Sequence, residues 1–95
     1  MKLENCTLLT EGVKWLREHT GADFANNADL QMTKVEPTES PLEARREAAR
    51  VFADRAADQG GKQVSHADAE NGLAHPNAIE CLPAVEAEWV NAPDK

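Results

Sequence analysis

The side chains that could bind a metal or attack a substrate are Cys6, His19, His66, His75 and Cys81, set among 17 acidic residues. A zinc site needs thiolates or imidazoles clustered as in C-x-x-C or H-x-x-x-H, so that neighbouring ligands meet one tetrahedral ion. None of the five lies at such a spacing. His66, His75 and Cys81 could converge only if the last two helices folded back together. An imidazole at a helix start (His66) or helix end (His19, His75) has a simpler role as a partner for terminal backbone groups or the helix dipole. Catalysis by Cys81 would need a base to generate the thiolate, and no residue is placed to serve. Gly60-Gly61-Lys62 lacks the earlier glycine and the strand of a phosphate-binding loop. The pairs Glu86/Glu88 and Asp68/Glu70 sit two residues apart, so a helix would turn each pair to different faces. The expectation is a chain that is not an enzyme, with no catalytic set, no cofactor site and no metal site.

The elements that must position these residues read as helices. Leu8, Leu9, Gly12, Val13 and Leu16 fall on one face of a helix over 8–19, with Trp15 beside them. Thr7 can cap its start and Gly21 can end it. Asn26, Asn27 and Asp29 read as a turn. Residues 30–35 alternate briefly and could form one short extended segment, with no partner strand visible. Ser40-Pro41-Leu42-Glu43 is a capping box with proline at the first helical position, opening a helix over 41–59 that stops at Gly60-Gly61. Leu42, Ala48, Ala49, Phe52 and Ala56 make its apolar stripe. Ser65 caps a third helix over 65–75, halted by Pro76. Asn77-Ala78-Ile79-Glu80 reads as one more cap, for a helix over 78–90 broken at Pro83. Val85, Trp89 and Val90 lie on its last turns, and Pro93-Asp94-Lys95 forms a frayed tail. The fold class expected is therefore all-α, a single small domain of three to five short helices over residues 1–95.

Composition limits what such a domain can do. Of 95 residues, Leu, Ile, Val and Phe together number 17, and 16 are alanine. That core is thin, and a partner or a second copy of the chain would complete it. No segment approaches the roughly 20 apolar residues of a membrane span, and the first residues lack the apolar run of a secretory signal. Cys6 and Cys81 have no disulfide framework around them, so two free thiols in a reducing cytoplasm are expected. The net charge of −7 repels a nucleic-acid backbone and disfavours direct duplex binding. The chain has no tyrosine and four aromatic residues in all, too few for the stacking platforms of single-strand binders.

These constraints favour a non-catalytic accessory or inhibitor protein that binds another macromolecule, most simply a protein. Candidate contacts are Arg45, Arg46 and Arg50 on the second helix, with Glu80, Glu86, Glu88 and Trp89 in the acidic last third. Tryptophan and arginine are the residues most enriched at interface hot spots. An alternative is a phage or mobile-element inhibitor whose carboxylates mimic nucleic acid and block a host nucleic-acid-handling complex.

The stretch from Pro41 to His75 also carries a family pattern at Pro41, Arg45, Ala48, Ala56, Gly60, Val64, Ser65 and Ala74. It resembles the small helical C-terminal domain of the light-independent protochlorophyllide reductase B subunit, over about a third of the chain. It departs from that family at Leu42-Glu43, where paired apolar or aromatic residues are usual, and at His75, where lysine is usual. The same helix–Gly–Val-Ser–helix rhythm is similar to the second half of a histone fold. The resemblance implies a helix–loop–helix and, as a further alternative, an accessory subunit of a tetrapyrrole-handling or reductase complex.

Overall fold

Alternation of buried and exposed side chains, not helical periodicity, organises the start of the chain. The computed structural model describes residues 2–23 and 31–83. In strand β1 (Leu3–Leu8), Cys6 and Leu8 turn inward while Asn5 and Thr7 are partly exposed. Helix α1 (Thr10–Thr20) follows directly, then β2 (Met32–Thr38), α2 (Pro41–Asp58), α3 (His66–Leu73) and β3 (Ile79–Pro83). The strands form one antiparallel sheet in the order β2-β1-β3, with a register irregularity between Leu3 and Asn5.

The all-α expectation is overturned by this three-stranded sheet. Each misreading has a local cause. Leu8, placed on the first helix, is the last residue of β1 and packs inward. The helix begins two residues later, behind Leu9, which offers no capping side chain, so Thr7 is not its cap. The extended segment expected over 30–35 is β2. It finds its partner in β1, with Cys6 opposite Thr33 and Thr7 opposite Met32. The helix expected over 78–90 is replaced over Ile79–Pro83 by β3, where Ile79 is buried and Glu80 and Leu82 are exposed. The later positions named for that helix, with the turn at Asn26, Asn27 and Asp29 and the tail from Pro93, lie outside the described residues.

Where local chemistry dictates a helix, the chain follows it. Ser40 Oγ accepts from the Glu43 amide at 3.2 Å, and Pro41 sits in the first turn, where its missing N–H removes nothing. The reciprocal half of the capping box is supplied differently: the Ser40 amide donates to Thr38 Oγ1 at 3.1 Å. Ser65 Oγ accepts from the Asp68 amide at 3.1 Å and starts α3. Gly60, at φ 90°, follows α2, and the α1 terminus uses Gly21, at φ 83°, whose amide bonds to the Arg17 carbonyl. Both glycines hold backbone that an L side chain would strain.

α2 packs against all three strands and against α3. Its buried face is Ala44, Ala48, Ala49, Phe52, Ala53 and Ala56. Small alanines let the helix axis approach the sheet closely, and Phe52 supplies the bulk, joined by Leu16, Leu73, Ile79 and Cys6. Leu42, expected in that stripe, is 43% exposed. The opposite face of the sheet carries Asn5, Thr7, Met32, Lys34, Glu80 and Leu82, and its Met32 and Leu82 are about half exposed. Among the described residues no helix is long and apolar enough to cross a membrane.

Cys6 and Cys81, expected as free thiols, form a disulfide. They are direct partners across β1 and β3. Strand register brings together two residues that the sequence keeps at opposite ends.

Candidate partner-binding groove

The arginines of α2 have unequal freedom. Arg50 donates to the carboxylates of Glu70 on α3 and of Glu47 on its own helix, the latter at 2.7 Å. The Glu70 hydrogen bond, with the nearby Glu47 charge assisting, holds the guanidinium above its ordinary value against the opposing effect of burial. Arg50 therefore clasps α2 to α3. Arg45 is half-buried, and its buried Nε has no hydrogen-bond partner among the described residues. Arg46 is exposed on α2, and Glu80 is exposed on β3, opposite Thr7. Glu86, Glu88 and Trp89 lie outside the described residues. Arg45, Arg46 and Arg50 share one helix, while Glu80 belongs to the sheet.

Among the histidines, His66 Nε2 lies 3.1 Å from Asp54 Oδ1 and ties the start of α3 to α2. His75 Nε2 lies 3.1 Å from the Gly72 carbonyl oxygen. No group of three or more His, Cys, Asp or Glu side chains converges on a metal-sized site among the described residues.

A groove between α1 and α3 gathers a different set of residues. It encloses about 450 Å³ and is lined by Trp15, His19, Val64, Asp68, Asn71 and Gly72. Trp15 and His19 are one helical turn apart, and their rings stack with centroids 4.1 Å apart and planes 16° from parallel. His19 Nδ1 lies 2.8 Å from the Trp15 carbonyl oxygen. A carbonyl only accepts, so Nδ1 carries the proton and Nε2 is left over. Gly72 explains how the indole is seated. A Cβ there would fall inside the van der Waals envelope of Trp15 Nε1 and Cε2.

The fold engages the polar groups of this groove only lightly, through the His19 Nδ1 contact and the place of Asp68 in the first turn of α3. The Trp15 indole N–H, His19 Nε2, the Asp68 carboxylate and the Asn71 amide have no side-chain hydrogen bond or ion pair among the described residues. A second groove, of about 610 Å³ beside β2 and α2, differs in this respect. There Glu4 pairs with Lys34 at 3.8 Å and Glu47 with Arg50. Of its four charged side chains, Glu36 alone has no ion pair among the described residues.

The sequence pattern sets Trp15 beside the core stripe of α1 and offers Asp68 only as one of a carboxylate pair with Glu70, while Asn71 and Gly72 carry no motif. The one local signal was a glycine inside a helix, unfavourable there by about 1 kcal/mol relative to alanine, which marks a close approach by something bulky. No family model, curated protein or solved structure matches this chain.

Proposed function

We propose that this chain is a non-catalytic accessory or inhibitor protein that acts by binding another protein, and that the groove between α1 and α3 is its contact site. The observation that carries this reading is the set of unmatched donors and acceptors around the Trp15–His19 ring pair. Hydrogen-bonding groups with no partner among the described residues, set beside an aromatic anchor in a concavity, suit a recognition site. The net charge of −7 and the Asp68 carboxylate select a partner with a basic surface. The Cys6–Cys81 disulfide suits an oxidising compartment for the folded form.

The test is site-specific photo-cross-linking. A photoreactive residue at Asn71 should trap one protein in an extract of the source cells, and Trp15→Ala in the same chain should abolish the adduct. The same group at Arg46, on the exposed side of α2, should trap it weakly or not at all. Trapping from Arg46 that is indifferent to Trp15 would move the contact to α2 and overturn the groove assignment.

A further inference from the structure

The geometry points to an arginine side chain of the partner as the group that enters the groove between α1 and α3. This inference rests on the protein-binding reading above and names the chemistry that the site recognises. A guanidinium is flat and permanently charged, carrying five N–H donors and no acceptor. It needs an aromatic face to stack on, a carboxylate to pair with and further acceptors at its edge. The groove supplies each of these. The Trp15–His19 stack supplies aromatic surface, Asp68 the carboxylate, and the Asn71 side-chain oxygen and the Nε2 of a neutral His19 ring the additional acceptors.

Other occupants fit less well. An anionic group would meet Asp68 and the field of a chain with net charge −7. A stacked nucleobase would bring its phosphates into that same field. A lysine ammonium would gain the charge pairing but cannot match flat rings and spread acceptors as a planar fork does. Volume is no obstacle, since about 450 Å³ falls within the usual range of small-ligand sites.

The experiment uses the full chain, labelled with ¹⁵N, and follows the Trp15 indole N–H resonance, assigned apart from that of Trp89 with the Trp89→Phe variant. Short glycine–serine peptides carrying one arginine, one lysine or one citrulline are titrated in, alongside a single-stranded oligonucleotide. The arginine peptide should shift the Trp15 resonance saturably, with a Kd on the order of 1 mM, as expected for one side chain. The lysine peptide should bind several-fold more weakly, and citrulline, which is isosteric but neutral, should not saturate. Asp68→Asn should weaken the arginine peptide about tenfold or more, the loss expected for a charge-assisted hydrogen bond. Gly72→Ala should move the Trp15 resonance in the unliganded chain and weaken the peptide, with Asp68 still in place.

Equal binding of citrulline, indifference to Asp68→Asn, or preferential binding of the oligonucleotide would each overturn the inference. So would a Trp15 shift produced by raising the protein concentration alone, because the occupant would then be a second copy of the chain. A partner trapped from position 71 whose binding survives replacement of all its arginines by lysine sinks the arginine assignment and leaves the protein-binding reading standing. An arginine peptide that binds as described while position 71 traps no protein does the reverse.

Discussion

Cys6 and Cys81 face each other across β1 and β3 and are joined by a disulfide that spans 75 residues of sequence. Cys6 is fully buried on the sheet face that α2 covers, with its Sγ 3.7 Å from the Ala44 carbonyl oxygen. β1 is the neighbour of β3 in the sheet, so the bridge fastens an edge strand to its partner. Closing a loop of this length restricts the unfolded chain, a stabilisation of roughly 4 kcal/mol on the chain-entropy account. Denaturant melts with and without reductant should therefore differ by about that amount, and Cys6→Ala with Cys81→Ala should reproduce the reduced curve. Coincident melts would mean that the bridge does not form or does not restrict the unfolded chain.

The helix starts offer a second, independent measurement. Ser40 and Ser65 each accept one amide of the first turn that has no partner inside the helix. Replacing either with alanine should cost about 0.5–2 kcal/mol. The two sites are on different helices, so the double variant should lose close to the sum. Chemical denaturation of the three variants checks both magnitude and additivity. A silent Ser65→Ala would show that α3 is held by packing, not by its cap.

Those two caps also show why some of the fold was legible and some was not. Ser40-Pro41-Leu42-Glu43 and Ser65-His66-Ala67-Asp68 act on amides three residues away, so a short window of sequence holds all the relevant chemistry. β1 and β3 hold six and five residues, and each depends on a partner at the other end of the chain. In Thr7-Leu8-Leu9 the apolar run passes from strand to helix without punctuation, and helical spacing absorbed it. Asn77-Ala78-Ile79-Glu80 has the composition of a cap, yet the Ala78 and Ile79 amides both bond to the His75 carbonyl and turn the chain into β3. The groove was hidden for the same reason as the disulfide. Trp15 and Gly72 meet only after the sheet and α2 have set α1 beside α3.

Two helix glycines give opposite readouts for one substitution. A Cβ at Gly12 would lie 2.5 Å from the Ala78 carbonyl oxygen, which already accepts from the Leu9 amide at 2.7 Å. Backbone held at that distance cannot yield cheaply, so Gly12→Ala should destabilise by about 1–3 kcal/mol despite the better helix propensity of alanine. At Gly72 the obstacle is the Trp15 side chain, which can swing away. Gly72→Ala should then change the Trp15 fluorescence more than it changes the melting midpoint. Equal melting losses at both positions would contradict this distinction between a backbone and a side-chain neighbour.

The claim that the partner is held in the groove between α1 and α3 is tested most directly by its dissociation constant across three variants. Asp68 and Asn71 are exposed and line the groove, whereas Arg46 is exposed on α2 and Glu80 on β3. Isothermal titration of the cross-linked partner, once purified, against Asp68→Asn with Asn71→Ala should show at least about a tenfold loss, or 1.4 kcal/mol. Arg46→Ala and Glu80→Gln should each stay within about twofold of the parent chain, because neither residue lines the groove. The contrary result is a groove variant that binds as tightly as the parent while Arg46→Ala or Glu80→Gln abolishes binding.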